Sequence, residues 1–415
     1  MLEPSSKNLS EQLFAKHRQA KETSALVPYM PSSQTILDQQ QQQQASSWYR
    51  SLCRLQWAWQ GVNPIDMEGV LARIASSSHS RTHDNWLDTV MGYRRGNWAY
   101  EWTQLGSAYQ QQAAQYQGEE AATKLFTASL CFSIAGYPHL NNDSLASQAY
   151  QLAVCAYQEG AKATQYVVKS IEIPYKNKHI TVTLHLPNTD KPHPVVMVSA
   201  GLDSLQTDMW RLFSKHLVPH QIGMVTVDMP AIGQSRAWPL SEDVSCLHQA
   251  VLNELRYLPW VDHWRVGLLG FRFGGNAMVR LSFLEPEKVK ACVALGAPIH
   301  DVLSSPEKLK NMPKMYLDVL ASRLGKSAVD IHSLSGQMMA WSLKTQGLLS
   351  GRKTKVPILA LSLEGDPVSP LSDNRLVSLY SRGGQAKSIR HKMVSKGYEQ
   401  SLDLAIKWLK EELIE

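Results

Sequence analysis

Apolar residues in the first part of the chain recur at the spacing of an α-helix. The clearest runs span residues 98–117, 121–134 and 145–163, and a shorter one passes through Trp48, Leu52, Leu55 and Trp59. The return of an apolar residue every three to four positions places these side chains on one face of a helix. Residues 1–165 are therefore predicted to form a helical domain, with a further helix through the glutamine run at 39–44.

The pattern changes at residue 166, where short runs of β-forming residues begin. Residues 167–174 and 179–186 flank Lys176-Asn177-Lys178, which is the arrangement of a β-hairpin. Six further apolar runs follow, separated by helical segments: 195–199, 224–227, 266–269, 291–295, 358–361 and 387–390. An antiparallel start followed by strand–helix alternation predicts an α/β domain over 166–415, with a mostly parallel sheet flanked by helices. Residues 299–354 are predicted to be a helical insertion that roofs a pocket.

Composition and charge exclude several classes of protein. The chain has no run of about 18 apolar residues, and its first residues lack the basic and apolar regions of a secretory signal. Its five cysteines are widely spaced without a Cys-x-x-Cys pair, which favours reduced thiols in a cytoplasmic protein. A net charge of +6 without a basic stripe argues against nucleic-acid binding. No metal and no organic cofactor is expected, because no such fingerprint is recognised.

One strand–turn–helix segment carries a motif with chemical meaning. In Gly270-Phe271-Arg272-Phe273-Gly274, glycines flank a central residue that follows an apolar strand. The spacing is that of the Gly-x-Ser-x-Gly nucleophile elbow of α/β-hydrolases, where the turn is too tight for larger side chains. The position of the nucleophilic serine is filled here by Arg272.

Other segments resemble landmarks of the same fold, in the same chain order. Residues 227–235 resemble the turn after the fourth strand, and residues 199–204 follow the third strand, where oxyanion-hole amides arise. Residues 365–370 place Asp366 at the position of the triad acid. An α/β-hydrolase fold is therefore predicted for residues 166–415.

With its helical N-terminal domain, the whole chain resembles the fermentation–respiration switch protein family. The resemblance implies an esterase-like member of the α/β-hydrolase superfamily, related to serine esterases. It also implies a role in regulating carbon flux between fermentation and respiration. The partner that the resemblance implies is the glucose-specific enzyme IIA of the bacterial sugar phosphotransferase system.

Ordinary serine hydrolysis is not expected from these residues. That reaction needs a nucleophile, a base and an acid within hydrogen-bond reach, and the guanidinium of Arg272 stays protonated, with no lone pair for attack. Asp366 retains the position of the acid. His391 precedes the usual position of the base, near residues 394–396, and reaches the site only if its loop folds back.

Arg272 is instead suited to binding an anion. A cation at the mouth of the pocket, beside a helix N-terminus, favours a carboxylate. Asp203, in the loop across the pocket, is placed to pair with Arg272 or to transfer a proton. The residues expected to contact a small anionic or ester substrate are Ala200, Gly201, Leu202 and Phe273.

Three functions remain open at this point. The first is an ester hydrolase with an atypical site, in which Asp366 and His391 keep catalytic roles. The second is a cofactor-independent lyase or decarboxylase of a small 2-oxo acid such as pyruvate, which would use Arg272 and Asp203. The third is a non-catalytic regulator that binds a metabolite and a partner, with Arg272 in a structural salt bridge to Asp203 or Asp366.

Overall fold

The computed structural model describes residues 27–36, 47–391 and 393–414. The helix predicted through 39–44 lies outside these residues. The segment 27–36 packs against the insertion: Tyr29 forms a parallel bridge with Val329, and the Lys314 ammonium donates a hydrogen bond to the Val27 carbonyl. Within the described ranges, no helix combines the length and the apolar character that crossing a bilayer requires.

The described residues between 54 and 163 contain five α-helices. They are α1 (Arg54–Gln60), α2 (Pro64–Ala75), α3 (Trp98–Ala113), α4 (Gly118–Gly136) and α5 (Ser144–Ala163). Asn63, Asn97 and Asp143 cap α2, α3 and α5 by accepting hydrogen bonds from backbone N–H groups of the first turn. The predicted helical region is confirmed, except that Trp48 and Leu52 lie in an irregular segment before α1.

The rest of the chain is built on one eight-stranded sheet. Its strands are β1 (Val167–Tyr175), β2 (Lys178–Leu186), β3 (His193–Ser199), β4 (Gly223–Thr226), β5 (Val261–Phe271), β6 (Ala291–Leu295), β7 (Ile358–Leu363) and β8 (Gln385–Ile389). They lie in the order β1-β2-β4-β3-β5-β6-β7-β8. Strand β2 is antiparallel to both its neighbours and the remaining pairs are parallel, which confirms the predicted sheet.

The turn between β1 and β2 sets the register of the predicted hairpin. Tyr175 pairs with Lys178, which leaves Lys176 and Asn177 as the two turn residues, with φ of 45° and 62°. Two successive left-handed residues form a type I′ turn, whose twist matches that of the paired strands. The ladder from this turn to Val167 and Leu186 therefore follows from local sequence.

Apolar cores lie on both faces of the sheet. Val195 and Met197 belong to one cluster, and Val196 and Val198 to the other, as the alternation of side chains along a strand requires. The covering helices are α6 (Cys246–Glu254), α7 (Phe273–Leu284), α8 (Pro306–Lys310), α9 (Lys314–Arg323), α10 (Ile331–Ala340), α11 (Leu371–Leu379) and α12 (Val394–Ile414). Helices α8 to α10 form the insertion between β6 and β7. Because parallel strands end at one edge, the loops after β3, β5 and β7 meet there.

A buried arginine joins the helical region to the insertion and to the sheet. Arg323, at the end of α9, is 1% exposed. Its guanidinium donates hydrogen bonds to the carbonyls of Leu202 at 2.8 Å, His139 at 2.8 Å and Pro138 at 2.9 Å. These acceptors belong to the loop after β3 and to the segment after α4. One side chain thus satisfies three backbone groups from two distant segments.

We predict that Arg323→Met lowers the free energy of unfolding by roughly 3 kcal/mol or more. The variant keeps most of the side-chain volume, but it leaves these carbonyls without their donor, and each buried acceptor so orphaned costs about 1–3 kcal/mol. Chemical denaturation of the two proteins measures the difference. Arg352→Met, at an exposed position, is the control, and equal stability of both variants would contradict the role of Arg323.

Candidate active site

The turn between β5 and α7 holds Arg272 in a left-handed conformation. Strand β5 ends at Phe271 and α7 begins at Phe273, with Arg272 between them at φ 50° and ψ −123°. A non-glycine residue in this region is strained and persists only where its surroundings impose it. The turn projects the arginine side chain at the carboxyl edge of the sheet, where an elbow presents its central residue.

Glycines around Arg272 allow the backbone to approach other segments closely. A Cβ atom on Gly274 would collide with the carbonyl oxygens of Ser199 and Ala200, and one on Gly270 would collide with the backbone of Gly274 and Gly275. The glycines predicted from the motif are therefore required by close packing. This packing places the start of α7 directly against the loop after β3.

Arg272 forms an ion pair with Asp366, from the loop after β7. The distance from Arg272 Nη1 to Asp366 Oδ2 is 2.5 Å. The other carboxylate oxygen accepts hydrogen bonds from the backbone N–H groups of Val368, at 2.9 Å, and Ser369, at 3.3 Å. The Asp366 side chain is 6% exposed and that of Arg272 is 54% exposed. A fixed carboxylate thus orients a guanidinium whose remaining surface is accessible.

Electrostatics favour the charged form of Arg272. Burial of part of the group lowers its pKa, but the neighbouring Asp366 carboxylate more than offsets this effect, and the net result is a raised pKa. Among the described residues, only Nη1 of the guanidinium donates a hydrogen bond to protein. The Nε and Nη2 groups therefore make no hydrogen bond to the described residues.

Asp203 and Arg272 both lie beside Gly201. A Cβ atom on Gly201 would come within 3.0 Å of Asp203 Oδ1 and 3.5 Å of Arg272 Cβ. Of the two ion pairs left open for Arg272, the one with Asp366 is formed and the one with Asp203 is not; the Tyr137 hydroxyl donates to Asp203 Oδ2 at 3.4 Å. Burial raises the pKa of Asp203, although Arg323 and Arg272 oppose the shift.

Sequence reasoning missed several side chains that surround this pair. Cys53 and Tyr137 come from the helical region, Tyr316 from α9 and Tyr398 from α12, and each is electrostatically coupled to Asp203 or Arg272. Tyr137 Oη lies 3.7 Å from Cys53 Sγ. Burial raises the pKa of Cys53 to about 12 and that of each tyrosine above its usual value. The thiol and phenols are therefore neutral groups, and Cys53 is not a thiolate nucleophile.

His391 is not brought to the ion pair. Its Nδ1 atom lies 3.3 Å from the carbonyl oxygen of Ile389, and its ring packs beside Gly397, where an added Cβ would come within 2.9 Å of it. Among the described residues it makes no hydrogen bond to Asp366. A serine–histidine–acid triad is thus not assembled from the described residues at the elbow.

A serine and a histidine do meet elsewhere, but away from any substrate. Ser199 Oγ and His248 Nε2 lie 2.9 Å apart, and both residues are 0% exposed. Burial lowers the pKa of His248 to about 3. The pair is a buried core contact, in which His248 Nδ1 has no partner among the described residues, and it does not replace the missing triad.

The residues predicted to contact substrate occupy two places around Arg272. Ala200, Gly201 and Leu202 form the loop after β3, and the Leu202 carbonyl is already bound by Arg323. Phe273 begins α7, and its ring packs edge-on against Trp341 at 5.1 Å between centroids. The contact of these residues with a substrate stays a prediction. Because the ring of Phe273 packs against Trp341, we expect Phe273 to make that contact through its backbone N–H. Among the described residues, no three potential ligands cluster to hold a metal ion.

The sheet order and the strained turn after β5 define this protein as an α/β-hydrolase. Within that class the family is identified by its model: the model described as Esterase FrsA-like matches residues 4–414. Because that match spans nearly the whole chain, the protein belongs to the FrsA-like esterase family, and the resemblance to the fermentation–respiration switch family is confirmed.

Relatives and solved structures agree with this assignment. The chain is 71% identical over 414 residues to Esterase FrsA of Vibrio parahaemolyticus and 47% identical over 418 residues to that of Photobacterium profundum, with 100% of each chain covered in both cases. The structure of 2,6-dihydroxy-pseudo-oxynicotine hydrolase is similar with a TM-score of 0.69 at 20% identity, covering 87% of this chain and 95% of that one. AbyA5 is similar with a TM-score of 0.61 at 18% identity, covering 75% and 88%. At these identities the structures show the fold alone.

A second buried carboxyl group, Asp208, makes the stability of this region depend on pH. Asp208 lines a polar crevice together with Asp203, Ser133 and Cys53. Burial raises its pKa to about 7, although the Leu205 amide and Ser133 favour its charged form. In the unfolded chain the pKa is about 4. The folded chain therefore holds this proton more tightly, and the resulting stability is lost as pH rises from about 4 to about 7.

We predict that Asp208→Asn weakens this pH dependence. The amide oxygen still accepts the hydrogen bond that Leu205 N–H donates to the carboxylate at 2.9 Å, but the group no longer titrates. The loss of unfolding free energy between pH 5 and pH 8 should be smaller in the variant by on the order of 2 kcal/mol. Urea denaturation at both pH values measures this, with exposed Asp190→Asn as control. An unchanged pH dependence would show that Asp208 does not carry it.

Proposed function

We propose that the site around Arg272 binds the carboxylate of a small molecule. The observation that carries the proposal is the guanidinium itself, which Asp366 holds through Nη1 while 54% of the side chain is exposed. A planar guanidinium binds a carboxylate through two parallel N–H donors. The Arg-for-Ser replacement thus changes the central residue of the elbow from a nucleophile to an anion receptor.

The charge of the surroundings decides when such an anion binds. Arg272 and Asp366 together are neutral, so an ionised Asp203 would repel an incoming carboxylate. Burial raises the pKa of Asp203, and a bound carboxylate raises it further because like charges oppose ionisation. Binding is therefore coupled to proton uptake by Asp203 and weakens as pH rises through the pKa of this group.

The reaction that we propose is hydrolysis, by water, of an ester whose molecule also carries a carboxylate. Arg272 holds the carboxylate, and Asp203 accepts a proton from the attacking water in the fraction of the complex in which Asp203 is ionised. The new C–O bond forms, the ester C–O bond breaks, and the proton returns to the leaving alcohol. Backbone N–H groups of Leu202 and Phe273 are the proposed donors to the oxyanion. No covalent acyl-enzyme is formed, in keeping with a site that lacks a side-chain nucleophile.

Decarboxylation of a 2-oxo acid such as pyruvate is less well supported by the same geometry. Loss of CO2 leaves an electron pair on the carbonyl carbon, and the described site contains no group that delocalises it. A guanidinium paired with the carboxylate also stabilises the bound acid more than the neutral CO2 that leaves, which raises the barrier. Hydrolysis needs only the proton transfer and the oxyanion donors.

We predict that the enzyme prefers the mono-4-nitrophenyl ester of glutarate to 4-nitrophenyl valerate, which has the same chain length without the carboxylate. Arg272→Ala should remove this preference, lowering kcat/KM for the glutarate ester about 10- to 100-fold, as expected for loss of a charge-assisted hydrogen bond of about 1.5–3 kcal/mol. Asp203→Asn should lower kcat for both esters. Initial rates, corrected for spontaneous hydrolysis, measure both effects.

Exposed Arg382→Ala is the control for this series. Equal trace rates in all the proteins would rule out hydrolysis at this site. Calorimetry with pyruvate and acetate then distinguishes the remaining functions. If the wild type binds these acids and Arg272→Ala does not, the site remains a carboxylate receptor and acts as a non-catalytic sensor. If the wild type binds neither acid, the receptor is overturned as well.

We further propose that the protein regulates carbon flux between fermentation and respiration in the cytoplasm, with the glucose-specific enzyme IIA as partner. Membership of the FrsA-like family supports this proposal, and the net charge of +6 suits an acidic partner surface. We expect calorimetric titration of the two purified proteins to give a dissociation constant in the micromolar range or below that weakens with added salt. Absence of heat at micromolar concentrations would contradict the partnership.

A further inference from the structure

A cleft separate from Arg272 lies between α5 and the antiparallel edge of the sheet. It has room for about 290 Å³ and none of its lining residues belongs to the group around Arg272. Its walls come from the face of α5 that carries Tyr150 and Val154, from β1 and β2, and from the segment after β3 that includes Gln206 and Thr207. A cleft of this size accommodates a small organic molecule.

Two buried hydroxyl groups on the wall of this cleft lack a partner. Tyr150 is 7% exposed and Thr207 is 9% exposed, and neither Tyr150 Oη nor Thr207 Oγ1 makes a hydrogen bond to any described residue. A buried polar group without a partner costs about 1–3 kcal/mol, so such groups are rare in folded proteins. Of the nine such side-chain atoms among the described residues, these two belong to residues that line this cleft, where a bound ligand can supply the missing hydrogen bonds.

The rest of the lining combines amides and hydroxyls with apolar surface. Gln206 is held in place, because its Nε2 donates to Asp228 Oδ2 at 3.2 Å and its Oε1 accepts from Thr183 at 3.1 Å. The other polar and apolar lining residues are Gln158, Ser170, Thr181, Gln234, Val154 and Val168. Such a wall suits a molecule that presents both hydroxyl groups and C–H faces.

The charges around the cleft favour a neutral ligand. No carboxylate is among the lining residues, and the one cation, Lys162, is exposed at the rim. Asp228 lies directly behind Gln206, and the Arg236 guanidinium lies 5.5 Å from the centroid of the Tyr150 ring; both groups are electrostatically coupled to Tyr150. Their opposite charges offset each other, so no net charge at Tyr150 favours an ionic ligand, whereas a neutral hydroxyl can donate or accept at both orphan groups.

We propose that this cleft binds a small neutral polyol of monosaccharide size, through the hydroxyl groups of Tyr150 and Thr207. The site is independent of the carboxylate receptor at Arg272, since the two groups of residues do not overlap. The protein thus has a second small-molecule site at the junction of its helical region and its sheet.

Binding of D-glucose, myo-inositol and D-glucuronate to the full chain tests the proposal. Saturation-transfer NMR and calorimetry should detect the first two. In the Arg272→Ala variant, which lacks the carboxylate receptor proposed above, D-glucuronate, whose carboxylate replaces the hydroxymethyl group of glucose, should bind at least 10-fold more weakly than glucose. The double variant Tyr150→Phe, Thr207→Val should weaken binding at least 10-fold without loss of thermal stability, because the removed hydroxyls have no partner among the described residues. Ala161→Trp, which fills the cleft, should abolish binding.

Tyr116→Phe, at an exposed tyrosine that is 44% accessible, is the matched control and should bind as the wild type does. Retained binding in Arg272→Ala is expected and separates this site from the receptor proposed above. The proposal would be overturned if neither neutral polyol bound at a ligand concentration about 50-fold above a millimolar dissociation constant. Undiminished binding in the double variant, or tighter binding of glucuronate, would overturn it equally.

Discussion

The close approach of the α7 N-terminus to the loop after β3 is the constraint on which the rest of the site depends. Gly274 lies against the carbonyls of Ser199 and Ala200 with no room for a Cβ atom. The contact leaves the residue before α7 in a left-handed conformation, which costs an ordinary residue about 1–2 kcal/mol. The sheet and its cores must supply this energy. The same contact fixes the position and the direction of the side chain of residue 272, whichever residue type occupies it.

Around that fixed origin, the fold places partners from remote parts of the chain. Asp366 reaches Arg272 from the loop after β7, and Asp203 from the loop after β3, because parallel strands deliver their carboxyl ends to one edge. The helical region and the insertion then enclose the pair with Tyr137 and Tyr316. The α/β-hydrolase fold here carries a positive charge, that of Arg272, at the elbow. The helical region and the insertion bury the neighbouring thiol and phenols, and this burial keeps them neutral.

Local patterns in the sequence were sufficient for the framework and for part of the site. The hairpin at Lys176 and Asn177, the glycines of the elbow and the position of Asp366 follow from short motifs that act within a few residues. The choice of Asp366 over Asp203 as the partner of Arg272 does not, because both carboxylates arrive at the same edge and loop geometry decides between them. The role of Tyr137 could not be predicted from the sequence, because the helical periodicity of residues 121–134 does not show which turn faces the sheet domain.

The three hydrogen bonds of Arg323 also have a consequence for the time course of biosynthesis. Their acceptors precede the arginine by up to 185 residues, which a ribosome translates in about 10 to 40 seconds at 5–20 residues per second. Until then, the segment after α4 has only water to bind its carbonyls, and helices α1 to α5 wait without their central anchor. Docking of the helical region through this anchor therefore cannot precede translation of Arg323, and it is a late event of synthesis.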